Sequence, residues 1–128
     1  MTHAMSRWLR AGAAMLGLAL AYSAAYAQSG QGSWVPKAAL DVARNEVVAA
    51  GVNGKVYVLG GNTIDKYELV ANEEYDPATG KWQARAPLPS GANHMGATAL
   101  NGKIYAVGGF TASGHRGATA NVFEYDPA

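Results

Sequence analysis

The sequence contains no cysteine, and that absence removes disulfide staples, a thiolate nucleophile and cysteine ligation of a metal. Charge is also sparse, with 10 Lys and Arg against 9 Asp and Glu and no basic cluster or stripe, so nothing suggests nucleic-acid recognition. No Gly-x-Gly-x-x-Gly run and no Walker lysine accompanies the glycines, which leaves phosphate cradling without a motif. After the first 30 residues no long helical pattern occurs. No motif calls for a cofactor.

What is present is a repeat. NGKVYVLGG at Asn53–Gly61 returns as NGKIYAVGG at Asn101–Gly109, 48 residues later. The same offset sets Trp34 against Trp82, Lys37 against Arg85, and Leu40 against Leu88. EYDPA at Glu74–Ala78 returns at Glu124–Ala128 with an offset of 50. The two extra residues therefore lie between the diglycine and EYDPA, where the second copy reads FTASGHRGATA, a variable loop between repeated strands.

Each copy reads as an antiparallel meander. An apolar strand over 47–52 meets the turn Asn53-Gly54, whose residues tolerate positive φ, and a strand follows over 55–59. The diglycine ends that strand. A third strand is expected over 71–75, then the turn Asp76-Pro77-Ala78-Thr79-Gly80 and a fourth strand over 81–84. The Ala-rich stretch 37–43 has helical propensity. It aligns with 85–91, which carries Pro87 and Pro89, and a helix there is not expected.

Four strands per unit, with Gly60-Gly61, Tyr75-Asp76-Pro77 and Trp82 matched by Gly108-Gly109 and Tyr125-Asp126-Pro127, resemble the kelch-repeat family. The resemblance covers residues 33 to 128. It implies an all-β chain, a fragment of a kelch-like β-propeller with one complete four-stranded blade, most of a second, and a lone N-terminal outer strand of a ring-closing blade. The expected division is 1–27, a signal peptide; 28–32, a linker; 33–41, the outer strand and exit; 42–89, the first unit; and 90–128, an incomplete second unit. Propellers use about 4 to 8 blades, so a truncated sequence is expected, with ring assembly from several copies as the alternative.

Residues 1–27 read as an export signal. Arg7 and Arg10 precede the apolar run 11–21, and Ala25-Tyr26-Ala27 is a small-residue cleavage site. Cleavage would leave 101 residues with a formal charge of −1 and a periplasmic or extracellular location.

The repeated residues have structural readings. The diglycines suit strand ends and close blade packing. Tyr75, Tyr125, Trp82 and, by register, Trp34 suit contacts within and between blades. Asp76 and Asp126 suit turns that bond backbone N–H groups, and Glu74 and Glu124 suit pairing with basic residues on nearby strands.

Ligand-binding candidates come from the positions that vary or that enter the inner strand. These are Arg44, Asn45, Asn93, His94, His115 and Arg116, with Arg116 the first choice for an anionic group. Asn45 and Asn93 could instead satisfy backbone groups. His94 lies opposite Glu46 in the repeat. As residues 21 positions apart, His94 and His115 do not read as a metal cluster, and no catalytic set is assigned.

The expected function is an exported binding or interaction module for protein, peptide or glycan. Part of a carbohydrate- or sialic-acid-processing enzyme and a self-assembling repeat are the alternatives. Resemblance to copper-dependent galactose oxidases fails at the cross-linked cysteine, which this sequence lacks.

Overall fold

The computed structural model describes residues 32–128. The proposed signal peptide and nearly all of the linker lie outside the described residues. Among those residues there is no α-helix, and no helix long and apolar enough to cross a membrane.

The first unit is a four-stranded antiparallel meander, β1 (Val48–Val52), β2 (Lys55–Leu59), β3 (Asn72–Asp76) and β4 (Lys81–Ala84), in spatial order β1-β2-β3-β4. Two local signals set its register. Asn53 (φ 52°) and Gly54 (φ 74°) both take left-handed conformations, which match the twist of a tight hairpin and bring Val52 opposite Lys55. At the other end, Asp76 Oδ1 accepts from the Ala78 N–H at 2.8 Å, and Gly80 N–H reaches the Asp76 carbonyl at 2.7 Å. Tyr75 and Trp82 thereby face each other across β3 and β4, with ring centroids 5.1 Å apart.

The second unit repeats this plan with β5 (Gly96–Leu100), β6 (Lys103–Val107) and β9 (Val122–Tyr125) in one antiparallel sheet. The run FTASGHRGATA, expected as a loop, folds instead as a small hairpin, β7 (Phe110–Ala112) and β8 (Arg116–Ala118). Glycines make this possible: Gly114 (φ 64°) turns the tip, and Gly117 (φ 69°) bends β8. The chain is thus all-β, with one complete kelch-like four-stranded blade and most of a second.

Residues 33–41 carry no strand, and the blade this segment was expected to close is not among the described residues. That segment has no ladder partner, and Trp34 is fully exposed.

The two sheets share one apolar core. Tyr57, Leu59, Met95, Ile104 and Ala106 are buried together with Leu88 and Ala92 from the connection between the units. Burial of each large side chain contributes about 1.5–3 kcal/mol relative to exposure. The connection itself is tied back by Arg85 N–H to Asn72 O and Leu88 N–H to Val70 O, both 2.9 Å. Pro87 and Pro89 flank Leu88 where no ladder donor is needed.

Candidate functional site

The segments leading into β1 and β5 are built alike. Asn45 and Asn62 exchange two backbone hydrogen bonds at 3.1 and 2.9 Å, and Asn93 and Phe110 exchange two at 3.0 Å. In each unit the second partner is the residue just after the diglycine. Gly61 (φ 94°) allows this approach, since a Cβ there would lie 2.5 Å from the Asn45 carbonyl oxygen. Gly109 (φ 100°) does the same against Asn93, at 2.6 Å.

The residue after each asparagine is left-handed: Glu46 at φ 56° and His94 at φ 52°. A third such residue, His115 at φ 54°, sits at the tip of the β7–β8 turn. Left-handed backbone is costly for a side chain with a Cβ, and Glu is a poor choice where Gly would be easier. The other described non-glycine residues in this region are Asn53 and Asn101, both in Asn-Gly hairpin turns.

These three strained residues meet. His94 Nδ1 lies 3.0 Å from Asn93 Oδ1 and 3.3 Å from Glu46 Oε2, and His94 Nε2 lies 3.4 Å from His115 Nε2. Phe110 sets its ring against both imidazoles, with centroids 6.1 Å from His94 and 5.3 Å from His115. Glu46 is itself held by the Asn62 amide, and the Asn93 amide donates to the Tyr67 carbonyl. The histidines that read as separate along the chain are therefore neighbours, because the hairpin inserted in the second unit folds back over the approach to β5.

Beside this cluster lies an open depression of about 640 Å³ on the first unit, lined by Asn45, Glu46, Asn62, Thr63, Ile64 and Tyr67 among others. Ile64 is 92% exposed and Tyr67 46% exposed, an apolar pair held on a turn closed by Thr63 and Lys66.

The other candidates fall differently. Arg44 turns inward, its side chain 2% exposed, paired with Glu73 and donating from Nη2 to the Val58 carbonyl at 3.4 Å. Arg116 stays exposed on β8, with Nε donating to the Ser113 carbonyl at 3.3 Å. Asn93 is 2% exposed and joined to backbone on both sides, whereas Asn45 lines the depression.

Among the residues read as structural, Glu74 carries a compact network. Tyr57 donates its hydroxyl to Glu74 Oε2 at 2.6 Å, and Arg85 grips the same carboxylate with two bonds of 2.9 and 3.0 Å. The Arg85 bonds, then the tyrosine bond, hold the Glu74 carboxyl below the usual carboxylate range. Burial, then the bond to Glu74, pushes Tyr57 above the usual tyrosine range.

Glu46, Asn62, Phe110, Ile64 and Tyr67 were not among the sequence candidates. Glu46 had a signal, since it is the repeat counterpart of His94. The other four had none: a Gly-Gly-Asn or Gly-Gly-Phe step does not disclose which way its last side chain faces, and Ile64 and Tyr67 lie in the variable loop after the diglycine.

Comparison with known proteins bears on the second unit most directly. Residues 92–128 match the family model for the Kelch motif. Over 47 residues the chain is 49% identical to an F-box/kelch-repeat protein of Arabidopsis thaliana, a stretch that makes up 37% of this chain and 12% of that protein. The internal repeat, the antiparallel four- and three-stranded sheets and these two matches together support the kelch-repeat family for this chain.

Proposed function

We propose that this chain is an exported interaction module that binds an extended segment of a partner protein in the depression on its first unit. The observation that carries this reading is the exposed pair Ile64 and Tyr67 beside the polar side chains of Asn45, Glu46 and Asn62. Apolar anchors in a concave surface suit a buried side chain of the partner, and amide groups suit its backbone. A kelch repeat fits the reading, since it offers loops of free sequence on a rigid sheet.

The test is panning of random peptides on the full chain, followed by affinity measurement for the enriched sequences. Binding that weakens at least tenfold in Ile64→Asp and in Tyr67→Ala supports the reading. A failure to enrich any peptide family, or binding indifferent to both substitutions, overturns it. Circular dichroism of each variant guards against loss of the fold.

Export rests on the basic, apolar and small-residue sequence of positions 1–27. N-terminal sequencing of the protein recovered outside the cytoplasm is expected to begin at Gln28. An intact Met1 or Thr2 terminus on that material would reject cleavage.

A further inference from the structure

We propose that His94 and His115 form a chelating site for a late first-row divalent cation of the zinc class. Two imidazole nitrogens bound to one tetrahedral zinc at about 2.0–2.1 Å must lie about 3.3–3.4 Å apart. The Nε2 atoms of His94 and His115 are 3.4 Å apart, while the ring centroids are 4.7 Å apart, so the two Nε2 corners lean toward each other.

The surroundings assign the tautomer that a ligand needs. His94 Nδ1 faces two acceptors, Asn93 Oδ1 and Glu46 Oε2. The orientation of Asn93 is fixed, because its amide nitrogen donates to the Tyr67 carbonyl and leaves Oδ1 toward the ring. The hydrogen of His94 therefore sits on Nδ1, which leaves Nε2 unprotonated on the side of the ring where His115 Nε2 lies. A carboxylate or carbonyl behind the ligating ring is the usual support of a metal-binding histidine. Glu46 is steadied in turn by Asn62.

Backbone conformation gives a second, independent indication. Glu46, His94 and His115 are held at φ values of 52–56°, where glycine would be easier. Non-glycine residues kept in sparsely populated conformations gather at binding sites. Phe110 supplies an apolar wall beside both rings, which shields the metal–nitrogen bonds on one side.

Among the described residues no third His, Cys, Asp or Glu completes a metal-holding group. Two protein ligands leave the remaining positions to water or to a donor from a bound partner. The two ligands are peculiar to the second unit, since the first has Glu46 in place of His94 and no counterpart of the hairpin that carries His115.

The experiment is calorimetric titration of the full chain with ZnCl2, with CoCl2 absorption as a second readout of nitrogen ligation. One equivalent of zinc is expected to bind, with affinity lost in His115→Gln, which alters an exposed turn tip and leaves the core untouched. Glu46→Gln is expected to weaken binding by about tenfold, the usual effect of removing a supporting group. Absence of zinc binding by the unaltered chain, or binding undiminished in His115→Gln, overturns the proposal.

Discussion

Tyr57 and Glu74 are joined across β2 and β3 by a 2.6 Å hydrogen bond, and the pair returns in the second unit as Tyr105 and Glu124, also at 2.6 Å. The bond is the same, but its setting differs. Tyr57 is 2% exposed, with the Tyr125 ring 5.7 Å away, whereas the Tyr105–Glu124 bond lies at an exposed position. Tyr57→Phe is therefore expected to destabilise the chain by about 1–2 kcal/mol, since a bond to a buried charged acceptor is lost. Tyr105→Phe is expected to cost clearly less. Urea denaturation of the two variants side by side checks the order.

The Glu74 network also fixes a pH dependence. Because the folded carboxyl titrates below the ordinary glutamate value of about 4.3, its contribution is full above that value and is lost as pH falls through the lower folded one. Tyr57 acts in the opposite direction: its contribution is full below the ordinary tyrosine value of about 10 and is lost as pH rises toward the higher folded value. Arg85 and Lys55 are the positive groups facing this carboxylate. Denaturation midpoints measured against pH should fall on the acid side, and Glu74→Gln should flatten that limb.

Gly61 is expected to resist replacement more than Gly54. Both have positive φ, but a Cβ on Gly61 would meet the Asn45 carbonyl at 2.5 Å, whereas one on Gly54 would meet nothing within 4 Å. Gly61→Ala should cost about 3 kcal/mol or more from strain and collision together, and Gly54→Ala about 1 kcal/mol from strain alone. Thermal midpoints of the two proteins give the comparison.

Arg44 is expected to behave as part of the interior. Removing it leaves Glu73, whose side chain is 16% exposed, without its partner, and Arg44→Ala should cost about 3 kcal/mol. The double replacement Arg44→Met with Glu73→Leu should recover much of that loss. A double-mutant cycle reads the coupling directly, and additive losses would contradict the pairing.

Much of the fold was legible because its signals are local. The Asn-Gly pairs located both hairpins, and the expected strands over 55–59 and 81–84 agree with β2 and β4. The strand expected over 71–75 is displaced by one residue to Asn72–Asp76, since the Asp76 side chain caps its turn from the last strand position. The FTASGHRGATA hairpin was missed because Gly and Ser mark a loop as readily as a three-residue strand. The candidate site was legible only in pieces. His94 and His115 were singled out separately, and nothing in a spacing of 21 residues shows that a hairpin will fold back to join them.

The sequence by itself determined the repeat, the order of the strands and the turns between them, because hairpin chemistry and alternation act over a few residues. Only the tertiary structure decided which of two equivalent residues is buried and which side chains converge. Tyr57 and Tyr105 occupy the same repeat position, yet only Tyr57 lies against the neighbouring sheet. Glu46, His94 and His115 become one cluster through the packing of two sheets and the path of one inserted hairpin. Burial and convergence depend on what lies across the gap, and that partner is distant in the chain.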